Sequence, residues 1–401
     1  MTPAGEGGAG KSLADSMARD VLEWKPSPAG LVTRELWTDE FKVNFGPQHP
    51  STHGVLRLIV TLDGEIVKHV ELSCGYLHRG IEKIAENRSA LQIIPFTDRV
   101  DYVAAMNSNH AVSVAAEKLM GIEVPERGQV LRVIMAELNR IASHLLWWGD
   151  IALNLGAVTP FFYAFREREL ILDLFEEACG QRLTYNYIRP GGVSHDIPAG
   201  WEERCTSAVK AISKRLPEYH RLLTNNAVFQ MRMRGVGVIS AEEAIEWGLS
   251  GPTLRGSGVR FDVRKSEPYD VYGRLKFDIP VGKRGDCFDR YMVRMNEIEQ
   301  SLSMVEQCLA MLPSSQGPHA KKLGMTARLP EGEVLARTEA PRGEMSVYMR
   351  GNGSAKPWRM KLRTASFANL AVLDRLSRGA KIADLIAIFG SLDVVVPEVD
   401  R

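Results

Sequence analysis

The chain has 401 residues, 45% of them hydrophobic and 25% charged, which is ordinary globular composition and enough for one large or two to three medium domains. A formal net charge of +1 and a pI near 7.7 give no electrostatic footprint for nucleic acid or an acidic membrane surface, so neither is expected as a primary ligand. No apolar run long enough to span a bilayer occurs, and the N-terminus has no signal-peptide pattern. Cys74, Cys179, Cys205, Cys287 and Cys308 are scattered without CxxC spacing, which argues against a disulfide framework and against a thiolate-held metal or iron–sulfur centre. A soluble protein of a reducing compartment fits.

In chain order, residues 1–35 are expected to form a mobile arm, because Gly, Ala, Ser and charge alternate there with nothing to pack. The stretch Gly46-Pro47-Gln48-His49-Pro50-Ser51-Thr52-His53-Gly54 follows. Its prolines fix φ and its flanking glycines permit tight backbone, so the loop should be stiff enough to hold an imidazole in place. A pair of turn histidines that merely cap backbone groups is the competing reading. Leu56, Leu58, Val60 and Leu62 then alternate into a strand, Asp63-Gly64 marks a hairpin turn, and Ile66, Val70 and Leu72 continue on a second strand.

Cys74 to Lys83 reads as a glycine-bracketed turn before a helix, and a packed thiol with a hydrogen-bonded His78 is the expected arrangement rather than a metal site. Asp98-Arg99-Val100-Asp101-Tyr102 is either a surface salt-bridge patch or the wall of a polar pocket. From Glu126, Ile134, Leu138, Ile141, Leu145 and Trp148 recur at three- and four-residue steps and predict a buried central helix. A partner helix begins after Thr159-Pro160 and ends at Gly180. Trp147, Trp148 and Phe161, Phe162 and Phe165 are expected in the core.

Further on, Tyr187 to Val193 is a loop, and helices are expected from about Pro198 to Leu223. Gly235-Val236-Gly237 lacks the GxGxxG fingerprint and precedes acids, which excludes a dinucleotide site. Ser250 to Gly258 reads as a glycine-dense loop leading into a strand at Val259, Phe261 and Val263. A long helix is predicted from Asp286 to Leu312, a linker from Pro313 to Lys322, and a β-hairpin from Met345 to Arg363. Helices at Phe367–Leu376 and Ile382–Phe389 close the chain before Asp393 to Arg401.

Patterns alone reach an α+β protein with a rigid histidine loop. The motifs GPQHPSTHG, GYLHRGIEK, FREREL, NYIRPGGV, LRGSGV followed by DVRKSEPY, and the closing EVDR together resemble the 49 kDa-type (D) subunit of respiratory complex I over residues 36–401. That family is related to the nickel–iron hydrogenase large subunit. The resemblance implies an α+β fold with a central helical bundle and β-rich N- and C-terminal portions, forming one quinone-site domain from residue 36 onwards. A nickel–iron centre needs a cysteine pair near each end of the chain. Only Cys74 is present at the first position and the tail has no cysteine, so no resident metal is expected.

What the resemblance implies instead is a proton-translocating NADH:quinone oxidoreductase subunit, active only within its complex. His53 and Tyr102 match the pair that binds the quinone carbonyls. His49, Asp101 and Asn154 would support the site, and Arg99 matches an arginine against the partner subunit's iron–sulfur cluster. The implied partners are the small cluster-bearing subunit, a 30 kDa-type subunit, a ferredoxin-like subunit and the membrane subunit at the quinone entry. The place is the cytoplasmic face of the bacterial inner membrane, peripherally. No cofactor is expected on this chain alone.

Two departures stand out. Asn154 occupies the position of an aspartate that pairs with the quinone-site histidine, which removes a negative charge that Asp101 could replace. Thr184 occupies the position of a histidine whose protonation tracks cluster reduction. The alternatives are a scaffold subunit that keeps the fold without the chemistry, and a hydrogenase relative.

Overall fold

The computed structural model describes residues 40–48, 55–324 and 326–401. The expected arm, residues 1–35, and both loop histidines, His49 and His53, lie outside the described residues. Strands Phe41–Phe45 (β1), Arg57–Asp63 (β2) and Ile66–Ser73 (β3) form an antiparallel sheet in that order. Along β2 the buried Leu58, Val60 and Leu62 alternate with half-buried neighbours, so one face of the sheet meets the core as the pattern requires. Phe45 of β1 pairs with Leu58 of β2, which makes the histidine loop the connection between these two strands.

Helices Ile81–Ala85 (α1), Ala90–Thr97 (α2) and Ala105–Met120 (α3) follow. The sequence reading has no counterpart to α3, for a physical reason. Asn107, Ser108, Asn109, His110 and Ser113 are all buried, so the helix has no polar face to reveal its period. Some of their polar atoms find partners inside: Thr97 Oγ1 donates to Asn109 Oδ1 at 2.8 Å and His110 Nε2 lies 2.5 Å from Asp270 Oδ2, whereas Ser113 Oγ is buried without one.

The bundle is built from Glu126–Asn154 (α4), Thr159–Cys179 (α5), Trp201–Tyr219 (α6) and, later in the chain, Cys287–Met311. Pro125 precedes α4, and Ile134, Leu138, Ile141, Leu145 and Trp148 are fully buried as their spacing predicts, each side chain worth about 1.5–3 kcal/mol. Gly180 closes α5 in the left-handed conformation at φ 76°. The core assignment fails for the phenylalanines, Phe161 and Phe165 being only half-buried. Phe162 is 67% exposed on the outer face of α5, although Trp147 and Trp148 are buried with their indole N–H groups bonded to Gly390 O and Tyr291 Oη. The Tyr187–Val193 loop is a minute hairpin of Ile188–Arg189 (β4) and Gly192–Val193 (β5), and α6 runs into a π-turn over His220–Thr224.

The short helices Ala227–Met233 (α7), Ala241–Glu246 (α8), Gly251–Gly256 (α9) and Val263–Ser266 (α10) precede the long Cys287–Met311 helix (α11). Two expectations are overturned here. Residues Ser250 to Gly258 are mostly helix, because their glycines serve close packing: a Cβ on Gly251 would stand 2.3 Å from Gly343 Cα, and one on Gly256 would stand 2.7 Å from Arg290 Cγ. Val259, Phe261 and Val263 do not make a strand. Asp262 instead caps α10 by accepting from the Arg264 N–H at 2.9 Å, turning the chain inward.

The C-terminal sheet consists of Gly332–Ala340 (β6), Gly343–Gly351 (β7) and Arg359–Arg363 (β8), antiparallel in that order, with α3 packed against β6 and β7. Ala365–Ala371 (α12) and Leu373–Ser377 (α13) replace the single helix expected there, and Ile382–Leu392 (α14) and Val396–Asp400 (α15) end the chain. The α+β class holds, with a helical bundle between two three-stranded sheets in the sequence.

Where α4, α11, α9, α10 and β6 meet, the core is ionic. Glu137 accepts from Arg140 Nε and Arg264 Nη1 at 3.1 Å, and Arg255 bridges Glu297 at 2.6 Å and Glu339 at 2.7 Å. All of these side chains are at most 2% exposed. Burying so many charges costs several kcal/mol per ion, which only mutual pairing offsets.

Candidate functional site

The Asp98–Tyr102 run joins α2 to α3 and is neither of the two things expected of it alone. Asp98 and Asp101 are buried, whereas Tyr102 is 39% exposed and the Arg99 side chain 48% exposed. Asp101 is fully occupied. One oxygen accepts the Val103 and Ala104 N–H groups at 3.2 Å, opening α3, and the other accepts Arg342 Nη1 at 2.7 Å. Arg342, buried at the β6–β7 turn, also donates to Ser143 Oγ at 3.2 Å and lies 3.5 Å from Asp393. Arg294 stands 3.5 Å from the other oxygen of Asp393.

Tyr102 feels the charges of this cluster. Partial burial raises its phenol above the usual range, Arg342 pulls it back, and Asp101, Asp150 and Asp393 push it further up. The result is a phenol that keeps its proton throughout the neutral range yet can reach a ligand. Asn154, at the end of α4, donates its amide to Asp150 Oδ2 at 2.9 Å. The structure thus brings Tyr102, Asp101 and the Asp150–Asn154 pair to one place, while His49 and His53 remain outside the described residues.

The Arg99 side chain is tied back to α2. Its Nη1 donates to Pro95 O at 2.5 Å and stands 3.7 Å from Asp98. Asp98 accepts from Asn109 Nδ2 at 2.6 Å and from the Asn186 N–H at 3.3 Å, so the segment carrying half-buried Thr184 runs beside it. Burial, opposed by the Asn109 and Asn186 donors and by Arg99 and Arg189, leaves the Asp98 carboxyl at about 6, and its second oxygen is buried without a hydrogen bond.

The chain end locks the turn that carries Cys74 and His78. Asp400 accepts the Gly75 and Leu77 N–H groups at 2.8 Å, its carbonyl lies 2.7 Å from His78 Nδ1, and the Arg79 N–H donates to Arg401 O at 3.2 Å. His78 is bonded as expected; Cys74 is not packed but exposed. Two residues upstream, buried Glu398 accepts from Ser366 and from the Ala365 N–H at 3.2 Å. Burial first, and the nearby Asp101 next, push its carboxyl up to about 7 against the pull of Arg342. The GYLHRG, DRVDY and EVDR stretches therefore form one electrostatic unit. Replacing Asp400 by alanine strands two N–H groups and is expected to cost about 2–3 kcal/mol, read as a lowered thermal midpoint of the assembled protein.

Sequence reasoning missed Arg342, Asp393, Glu398 and Asp150. Glu398 and Asp393 lie in or beside the tail motif, but Arg342 and Asp150 carry no local signal. A cleft of about 490 Å³ between α5 and α6 is lined by Leu170, Leu174, Ala208 and Ala211 together with Asp173, Glu177, Glu203 and Arg204. Among the described residues, no group of three or more His, Cys, Asp or Glu is placed to hold a metal ion.

Comparison with known proteins decides the family. The model of the respiratory-chain NADH dehydrogenase 49 kDa subunit matches residues 154–326 and 318–401. The D-type subunit of the NADH-quinone oxidoreductase of Bacillus anthracis is 51% identical over 363 residues, covering 90% of this chain and 99% of the relative; its counterpart in Bacillus cytotoxicus is 50% identical over the same span. The chain belongs to the 49 kDa subunit family of respiratory complex I. Within a 49 kDa-family chain, the unit built by Tyr102, Arg342 and the tail acquires a chemical setting. No helix among the described residues is long and apolar enough to cross a membrane.

Proposed function

We propose that this subunit of an NADH-quinone oxidoreductase forms the wall on which a quinone headgroup is reduced, with Tyr102 and His53 as the donors to the two ring oxygens. The observation that carries it is the state of Tyr102. Tyr187, Tyr219, Tyr272 and Tyr291 are buried in the core, whereas Tyr102 is partly open and surrounded by three carboxylates and one guanidinium. Reduction of a quinone adds two electrons and two protons. The electrons arrive singly from an iron–sulfur cluster of the small partner subunit, and the ring oxygens become strongly basic as they do. A phenol held protonated releases its proton only to such a base, which ties proton transfer to electron arrival.

The finer assignments rest on the same reading. Arg99, exposed and carrying a fixed positive charge, faces the partner's cluster and favours its reduced state. Asp101 acts by holding Arg342 and the start of α3, while His49 and Asn154 support the ring pocket. The remaining partners are a 30 kDa-type subunit, a ferredoxin-like subunit and the membrane subunit at the quinone entry. The site lies on the cytoplasmic side of the bacterial inner membrane, where the complex couples the reaction to proton translocation.

The test is made in the assembled complex. Tyr102→Phe and His53→Ala are each expected to abolish NADH-driven quinone reduction, by roughly a hundredfold or more, while electron flow to hexacyanoferrate persists. Unchanged quinone turnover in both variants overturns the assignment.

A further inference from the structure

The cavity beside α2 gathers donors and no carboxylate. It encloses about 430 Å³ and is lined by Arg88, Leu91, Gln92 and Pro95, from α2 and the turn before it, and by Asn186 and Arg189 at β4. Arg88 is exposed, and its side chain makes no hydrogen bond or ion pair among the described residues. Arg189 spends only its Nε, on Asn186 O at 2.9 Å, and its two Nη groups have no acceptor among the described residues. Gln92 accepts the Ser89 N–H on Oε1 at 3.1 Å, which orients the amide and leaves Nε2 as an unspent donor.

The backbone behind these donors is fixed. Asn186 sits in the left-handed region at φ 47°, which an asparagine tolerates; its N–H donates to Asp98 Oδ1 at 3.3 Å while its carbonyl accepts Arg189. Buried Arg132 donates to Arg189 O at 2.7 Å. Asp98 is itself fully buried and does not line the cavity. On α5 and α6, by contrast, exposed arginines are answered within the chain, Arg166 by Glu218 at 3.1 Å and Arg204 by Glu177 at 2.7 Å. Two guanidinium forks and an amide above the apolar Leu91 and Pro95 match the planar oxygens of a carboxylate. The cavity is larger than a lone inorganic anion fills, so the carboxylate arrives with the segment that bears it.

Arg99 locates the cavity in the complex. Its Nη1 donates at 2.5 Å to the carbonyl of Pro95, a lining residue, so the cavity adjoins the side chain read above as facing the cluster-bearing subunit. The choice of subunit rests on that reading; the choice of ligand does not. We propose that this cavity receives an aspartate or glutamate side chain of the small cluster-bearing subunit, held by Arg88, Arg189 and the Gln92 amide. Arginine is enriched where protein surfaces meet, and its charge-assisted bonds to a carboxylate set the register of the two partners.

The test uses the assembled complex in native membranes. Arg88→Lys keeps the charge, and a water-soluble carbodiimide condenses the introduced amine with a carboxylate it touches: an amide forms and the carbodiimide takes up the water. A cross-link from position 88 to an Asp or Glu of the small subunit is expected, with quinone turnover unchanged before treatment. The native complex, whose guanidinium does not react, should lack it. Arg88→Glu, at a side chain with no ion pair in its own chain, is expected to shed the small subunit about tenfold faster in a high-salt wash, and exchange of the cross-linked acid for arginine to restore retention. No cross-link, one confined to this chain, or one to another subunit overturns the inference. So does retention in Arg88→Glu equal to that of the native complex; a fall in bound lipid phosphorus there would mark a phosphate headgroup instead. A small-subunit cross-link beside an active Tyr102→Phe removes the quinone-site reading alone, whereas no cross-link beside an inactive Tyr102→Phe removes this inference alone.

Discussion

Replacing Arg342 by methionine is expected to prevent assembly of the subunit into its complex, at a cost of about 3–5 kcal/mol, and to eliminate quinone reduction with it. The side chain is 1% exposed, bonded to Asp101 at 2.7 Å and set 3.5 Å from Asp393. Methionine fills much of the volume but leaves Asp101 and Asp393 buried without this counter-charge, and it removes the opposing pull on Glu398. Asp101 and Glu398, already raised by burial, are then raised further. A carboxyl raised in the folded state costs stability as pH rises from its unfolded value through its folded one, so the variant should be least stable under alkaline conditions and recover in mild acid. Native-gel abundance and thermal midpoints at about pH 5.5 and about pH 8 measure this. Arg342→Lys keeps the charge without the fork and should fall between the two. Wild-type abundance in Arg342→Met, or a deficit that deepens in acid, would contradict the account.

The bundle was legible because its stripes are simple: Ile134, Leu138, Ile141, Leu145 and Trp148 on α4, and the capped ends of α4 and α5, follow directly from period and terminal residues. What escaped has one cause. Helix α3 and strand β6 bury polar side chains, so hydrophobic period carries no information about them. Asn109 and His110 on α3, and Thr338 and Glu339 on β6, are interior residues that composition places outside. The same inversion hid half of the site. Tyr102 and Arg99 stand out in the sequence only as members of the Asp98–Tyr102 run, whereas Arg342 and Asp393, which act on Tyr102, lie more than two hundred residues away. No local pattern links a guanidinium at a β-turn to a carboxylate in an interhelical loop. Glycines misled for a related reason: those at 251 and 256 are spacers for close approach, not signs of a loop.

Glu137→Gln provides the sharpest probe of the ionic core, with an expected loss of about 3–5 kcal/mol at neutral pH. Burial alone would push this carboxyl up. Arg140 and Arg264, with hydroxyl donors Ser301 and Tyr272 each at 2.6 Å, outweigh it and hold the group at about 2. A carboxyl depressed in the folded state stabilises fully above its unfolded value, near 4.5, and loses that contribution as pH falls towards 2, here roughly 3 kcal/mol in all. The glutamine variant has no such contribution left to lose. Its stability should be lower at neutral pH but decline less between about pH 5 and about pH 2 than that of the native protein, so that the two curves converge in acid. Ser301→Ala, which removes one donor and leaves both ion pairs, should cost only about 1 kcal/mol and keep most of the native slope. Parallel acid curves for the native protein and Glu137→Gln would mean that the carboxyl is not ionised in the folded core, and that Arg140 and Arg264 owe their burial to other partners.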